Sequence, residues 1–134
     1  MWRKLRRLGA AQLLDGLVAL PLDSRNREAL EWIADEVVDA QGEATLWIGA
    51  LASAAQEREL EARMTNTIAA EYQSVIDEAE SLLVGEAPGS RRSLLRLRRE
   101  LRRIRARDYF PVPEREEAMQ AVEAFAAGME EARK

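Results

Sequence analysis

The spacing of hydrophobic residues changes character between the first third of the chain and the rest. In the first third, residues 2–8 place three apolar side chains on one helical face and stop at Gly9, which predicts a short helix. Two short apolar runs then flank Asp15 and Gly16. An Asp-Gly pair in that position predicts a tight β-hairpin.

A second helix and a third strand are predicted next. Residues 25–40 keep helical spacing of apolar positions, and Asp23 and Ser24 are N-cap candidates in front of them. Gly42 should end this helix. The apolar run 45–48 predicts another buried strand.

From about residue 54 to residue 131 the pattern is helical throughout, in three stretches. Breaks are predicted around 85–89 and 108–112, and Pro113 suits the first position of the last helix. The positions predicted to face a core are Leu60, Met64, Ile68, Tyr72, Val75 or Ile76, Ala79, Leu82 or Leu83, Leu94, Leu97, Leu101, Ile104, Ala118, Val122, Phe125 and Met129.

The order helix, strand, strand, helix, strand is that of a ferredoxin-like β-α-β-β-α-β unit whose first strand is missing. The predicted fold class is therefore α+β. A truncated ferredoxin-like unit over 1–52 is followed by a three-helix all-α segment over 53–134, packed on it as one compact domain. Because the gap would expose unpaired backbone, we expect an upstream segment of the natural protein or another subunit to fill it.

Composition narrows the possible functions. The 134 residues include no cysteine and no histidine, which excludes thiolate nucleophiles, disulfides, the common zinc sites and the usual general base near neutral pH. We therefore expect no enzyme activity, no cofactor and no metal site. No apolar run approaches the roughly 20 residues of a membrane span, so we expect a cytoplasmic protein without a membrane partner.

The positive charge is concentrated in one segment. The chain has 20 basic and 24 acidic residues, yet residues 91–107 hold nine arginines and a single glutamate. With 94, 97, 101 and 104 facing inward, helical geometry places one row of arginines on the opposite face and a second row beside the apolar seam. The outer row is Arg92, Arg96, Arg99 and Arg103; the flanking row is Arg91, Arg98, Arg102 and Arg105.

Two interpretations of these arginines stay open. The outer row could contact DNA phosphates, while the flanking row pairs with the acids of 57–86. Alternatively the whole helix is a solvated face of a bundle, joined to its neighbours or to an acidic protein partner by surface ion pairs. A second basic cluster could extend a DNA-binding surface or simply be an exposed helix face: Arg3, Lys4, Arg6 and Arg7.

The aromatic residues are interpreted as structural. Trp2, Trp32 and Trp47 are expected to be core or interface anchors, and Tyr109 and Phe110 to hold a turn against the helices. The arginine segment contains no Asn or Gln, so nothing in it specifies bases.

Several stretches, taken in order, resemble the N-terminal region of ChrB-type chromate resistance proteins. They are residues 2–10 (WRKLRRLGA), 15–21 (DGLVALP), 27–34 (REALEWIA), 42–44 (GEA), 104–111 (IRARDYFP) and 114–118 (EREEA).

The resemblance implies a bacterial cytoplasmic regulator that binds DNA and releases it in response to chromate. It also implies a ferredoxin-like unit similar to that of phenylacetate-type repressors, in which this unit commonly dimerises. Family members usually carry a strand before the tryptophan that matches Trp2 and continue into a second domain, and this chain shows neither. The resemblance supplies no residue-level motif, so the candidate DNA-binding residues rest on charge and helix geometry.

The sequence thus predicts a homodimeric DNA-binding transcriptional regulator of the chromate-resistance type, with an anionic effector such as chromate. The alternative is a non-catalytic helical interaction or dimerisation module whose arginines pair with acidic helices.

Overall fold

The computed structural model describes residues 1–85 and 91–133, with side chains to residue 131. In these ranges five helices accompany one small antiparallel sheet, so the predicted mixture of helix and strand is confirmed. The predicted break at Pro88 and Gly89 lies outside the described residues. The elements in chain order are α1 (Trp2–Leu8), β1 (Ala11–Leu14), β2 (Leu17–Ala19), α2 (Ser24–Asp39), α3 (Ala54–Val84), α4 (Arg91–Arg105) and α5 (Pro113–Arg133).

The predicted first helix and hairpin are both present. Gly9 follows α1 with φ 80°, the left-handed conformation that glycine adopts without steric cost. Gly16 also has φ 80° and lies in the tight turn that connects β1 to β2. In the antiparallel pair Gln12 lies opposite Val18. The strand register shifts between Gln12 and Leu14, so this strand is bulged near the turn.

Helix α2 is closed at both ends by local hydrogen bonds. At its start the Asp23 carboxylate accepts a hydrogen bond from the Asn26 backbone N–H at 2.7 Å, as the N-cap pattern predicts. At its end Gln41 has φ 71°, and the Gly42 N–H donates to the Val37 carbonyl at 2.8 Å. This is a Schellman ending, with glutamine in the left-handed position that glycine usually occupies.

The predicted strand at 45–48 is wrong. The segment has no regular structure, and its side chains are exposed. Its prediction rested on an apolar run, but a strand is stable only where a neighbouring strand completes its ladder. Within the described ranges the sheet is the two-stranded hairpin alone, so a ferredoxin-like arrangement over 1–52 is not established.

The backbone divides into two compact units, Met1–Met64 and Thr65–Lys134, called unit 1 and unit 2 below. The division falls within α3. Among the described residues of unit 1, the buried hydrophobic side chains are those of Leu5 and Ile33. The tryptophans were predicted to be core or interface anchors. They are not part of a core, because Trp2, Trp32 and Trp47 are 45%, 66% and 84% exposed.

Unit 2 contains a continuous hydrophobic core. The part of α3 in this unit, α4 and α5 each contribute one face to it, and the predicted helical stripes of this region are confirmed. The buried members are Ile68, Tyr72, Val75, Ile76, Ala79, Leu97, Leu101, Ile104, Val112, Ala118, Val122 and Phe125.

The close approach at Gly42 gives a stability prediction. A Cβ atom at this position would lie 2.8 Å from Val37 Cγ1 and 3.0 Å from the Val37 carbonyl oxygen. Gly42→Ala should therefore destabilise the protein by about 1–3 kcal/mol, the usual cost of overpacking. Urea unfolding followed by circular dichroism measures the change.

Gly49→Ala is the matched control, since its added methyl group meets no atom within 4 Å. Equal unfolding free energies for the two variants would contradict the packing described for the end of α2.

Candidate nucleic-acid interface

Helix α4 is oriented by its apolar seam. Leu97, Leu101 and Ile104 are 1%, 9% and 0% exposed, and Leu94 packs against the same core. The spacing of 3, 4 and 3 residues keeps these side chains on one stripe, as the sequence predicts. Burying this stripe turns most of the arginine side chains toward solvent.

The outer row of arginines is exposed, but it is not free of acids. Arg96 pairs with Glu78 of α3 at 2.5 Å, and Arg103 lies 3.8 Å from Glu100 one turn earlier in α4. In the described part of the chain, Arg92 and Arg99 have no carboxylate within 4 Å. The outer row, expected to lack internal partners, is therefore half paired.

The flanking row was expected to pair with acids of the neighbouring helix, but most of its arginines do not. Arg98 pairs with Glu123 of α5 at 3.3 Å. Arg91, Arg102 and Arg105 have no carboxylate within 4 Å among the described side chains. Acids of the neighbouring helices thus pair with one arginine from each row.

Four of the unpaired arginines share one side of α4. At 100° per residue, Arg91, Arg92, Arg99 and Arg102 fall within an arc of about 100° and span about 16 Å of helix axis. These four residues are called the arginine face. Leu95 lies in the middle of the arc and is 50% exposed.

The basic cluster at the N-terminus lies on α1. All four residues are exposed, because Leu5 is the side chain of α1 that unit 1 buries. Lys4 Nζ forms a salt bridge with Glu36 of α2. The other three have no carboxylate within 4 Å in the described ranges: Arg3, Arg6 and Arg7.

A charged cluster that the sequence analysis missed fixes the end of α4. The Tyr72 hydroxyl donates to Asp108 Oδ2 at 2.9 Å, and the Arg107 guanidinium donates to both carboxylate oxygens of Glu71 at 2.8 and 2.6 Å. Arg115 lies 3.9 Å from the same Asp108 oxygen. We call these five residues the turn latch, since they join the α4–α5 turn to α3 and to the start of α5.

The Tyr72–Asp108 pair at the centre of the latch is removed from water. The Asp108 side chain is 2% exposed and Tyr72 is fully buried. Burial, followed by the hydrogen bond to Asp108, raises the pKa of the Tyr72 hydroxyl well above its ordinary value of 10.0. The sequence feature that could have revealed this latch is the pair Arg107-Asp108, which lies just beyond the end of α4. The pair belongs to the stretch 104–111, one of those that carry the family resemblance.

Within residues 1–85 and 91–133, no group of three or more acidic side chains is arranged to hold a metal ion. None of the described helices combines the length and the apolar character required to cross a membrane.

The fold and the site together define a largely helical protein that presents a cationic helix. The family described as "Protein ChrB, N-terminal" matches residues 1–133. The chain therefore belongs to this family, which confirms the resemblance found in the sequence. No curated protein and no solved structure matches the chain in the corresponding comparisons.

The turn latch predicts an alkaline sensitivity. Because the folded state holds the Tyr72 proton above the pH at which the unfolded state releases it, the free energy of unfolding should fall as pH rises beyond about 10. Tyr72→Phe should remove this dependence of the unfolding free energy on pH, called the alkaline slope below. It also lowers stability at pH 7 by about 1–3 kcal/mol, since it leaves a buried carboxylate oxygen without its donor.

Urea unfolding at pH 7 and between pH 9 and 11 measures both effects. Tyr109→Phe is the control, because it removes the other tyrosine of the chain and should keep the alkaline slope. A Tyr72→Phe protein with the wild-type slope would show that another group is responsible.

Proposed function

We propose that this chain is a DNA-binding transcriptional regulator of the chromate-resistance type, and that α4 contacts the DNA backbone. Membership of the ChrB N-terminal family supports the regulatory context. The observation that carries the DNA contact is the arginine face, whose guanidinium groups have no carboxylate within 4 Å in the described structure.

The spacing of the arginine face suits a polyphosphate. Its length of about 16 Å is comparable with several phosphate steps of duplex DNA, and each arginine can bind a phosphate through two parallel hydrogen bonds. The rest of the protein is acidic, because the whole chain carries a net charge of -4. DNA should therefore be attracted to the basic helices and repelled by the acidic remainder of the surface.

In this proposal the α1 cluster of Arg3, Lys4, Arg6 and Arg7 adds phosphate contacts. A cytoplasmic homodimer with two-fold symmetry would read a palindromic operator, and an anion such as chromate would act as effector. We assign no catalytic residue.

A second function is favoured by the ion pairs of α4. Arg96–Glu78 joins α4 to α3, Arg98–Glu123 joins it to α5, and Arg107–Glu71 is a less exposed pair in the turn latch. In this alternative the protein is a non-catalytic interaction module, and the arginines serve its helix packing or an acidic protein partner. The two functions differ in what the arginine face contacts.

Fluorescence anisotropy distinguishes these functions. The probes are the DNA upstream of the protein's own gene and a shuffled sequence, each at low and at physiological salt. Tighter binding to the native fragment that persists at physiological salt supports the regulator. Equal binding that disappears with salt indicates a merely cationic surface, and an absence of binding to both probes favours the interaction module.

The arginine face predicts a specific loss. Arg92→Ala combined with Arg99→Ala should weaken DNA binding about tenfold or more. It should also lower the slope of log affinity against log salt by about 2, because two phosphate contacts are removed.

Arg27→Ala is the matched control, since Arg27 is equally basic and exposed but pairs with Glu31 within α2. Similar losses in the double variant and the control would show that the arginine face has no particular role.

A further inference from the structure

The solvent side of α4 carries arginines on both sides of a line that begins with a leucine. Residues seven apart in a helix differ by only about 20° in direction, so they lie in one row along the axis. Leu95 and Arg102 form such a row, called the central row below. The two side rows are Arg92 with Arg99, and Arg91 with Arg98 and Arg105.

Both side rows keep arginines for an outside partner. Arg98 pairs with Glu123, whereas the other four arginines of the side rows have no carboxylate within 4 Å among the described side chains. The side rows point about 110° apart around the helix. A single line of phosphates can therefore meet one of them, while two lines of phosphates, one on each side of the helix, meet both.

A groove of duplex DNA supplies two such lines, because each of its walls is a phosphate backbone. A helix with its side chains is about 10–12 Å wide. This width matches the major groove, which is about 12 Å wide, and exceeds that of the minor groove, about 6 Å. The distribution of arginines around α4 therefore suits a helix that lies within the major groove.

The central row contains an apolar side chain where a purely electrostatic surface needs none. Leu95 is 50% exposed, so packing within unit 2 covers only half of it. In the major groove the central row of a bound helix faces the base edges. The apolar group available there is the C5-methyl of thymine. Contact between this methyl group and Leu95 removes both from water.

The second member of the central row is suited to guanine. The lack of Asn and Gln in α4 removes the usual paired hydrogen bonds to adenine, but arginine donates two hydrogen bonds to O6 and N7 of guanine. Arg102 is seven residues beyond Leu95, which is about 10 Å along the axis. That distance corresponds to about three base-pair steps of about 3.4 Å.

We propose that α4 enters the major groove, where Leu95 contacts a thymine methyl group and Arg102 binds a guanine about three base pairs away. The side rows contact the phosphates of the two strands. This inference rests on the proposed function, since it requires that the chain bind duplex DNA, and it adds the groove and the bases that the helix reads.

Dimethyl sulfate footprinting of the full chain on the DNA upstream of its own gene tests the groove. The reagent methylates guanine N7 in the major groove and adenine N3 in the minor groove, so the protected atoms identify the groove that is occupied. We expect protection of guanine N7 and unchanged methylation of adenine N3. Arg102→Ala should restore methylation of one guanine in each site while the neighbouring contacts remain.

Replacing thymine by uracil in the same fragment tests the leucine contact. Uracil lacks the C5-methyl group but keeps the base pairing and the phosphates. Binding of the wild type should weaken about fourfold for each methyl group in contact. Leu95→Ala should bind both fragments equally and keep the wild-type dependence on salt, because it removes no charge. Leu22→Ala is the matched control, since Leu22 is 67% exposed and lies outside α4, and it should keep the sensitivity to uracil.

The outcomes separate this inference from the proposed function. An absence of DNA binding by the wild type would overturn both. Binding to the upstream fragment with protection of adenine N3 alone, or without protection of any guanine, would overturn the major-groove contact and leave the regulator proposal standing. Equal sensitivity to uracil in Leu95→Ala and the wild type would show that Leu95 does not contact thymine.

Discussion

The burial of one narrow seam of α4 is the constraint on which the candidate site depends. Three side chains, Leu97, Leu101 and Ile104, fix the helix against the core of unit 2. Eight of the other twelve positions of α4 are arginine, and so many like charges on one helix repel each other. The hydrophobic contact and the carboxylates of α3 and α5 offset that repulsion, while five arginines of α4 have no carboxylate within 4 Å among the described side chains.

The elements predicted correctly from the sequence are those whose structure is determined by residues close to one another in the chain. The hairpin at Asp15-Gly16, the N-cap Asp23 and the buried positions of unit 2 depend on turn chemistry and helical spacing, which neighbouring residues determine. The segment 45–48 shows the limit of that reasoning. Its apolar run is compatible with a strand, but a strand needs a partner that no local pattern specifies.

The same distinction applies to the candidate site. Helical geometry gave the exposure of Arg92, Arg96, Arg99 and Arg103, but which arginines meet an acid depends on the contacts between helices. Glu78 reaches an outer arginine and Glu123 a flanking one, so the two rows do not divide by function as expected. The turn latch was missed for a related reason, because Tyr72 and Asp108 are 36 residues apart.

The turn latch and the apolar seam must both be satisfied by one rotation of α4. One residue added or removed between Ile104 and Asp108 would turn the helix by about 100° relative to the latch. The core seam and the latch could then no longer both be satisfied, and the arginines would point in another direction. The length of this short connection is therefore as much a part of the cationic surface as the arginines themselves, although it contributes no charge to it.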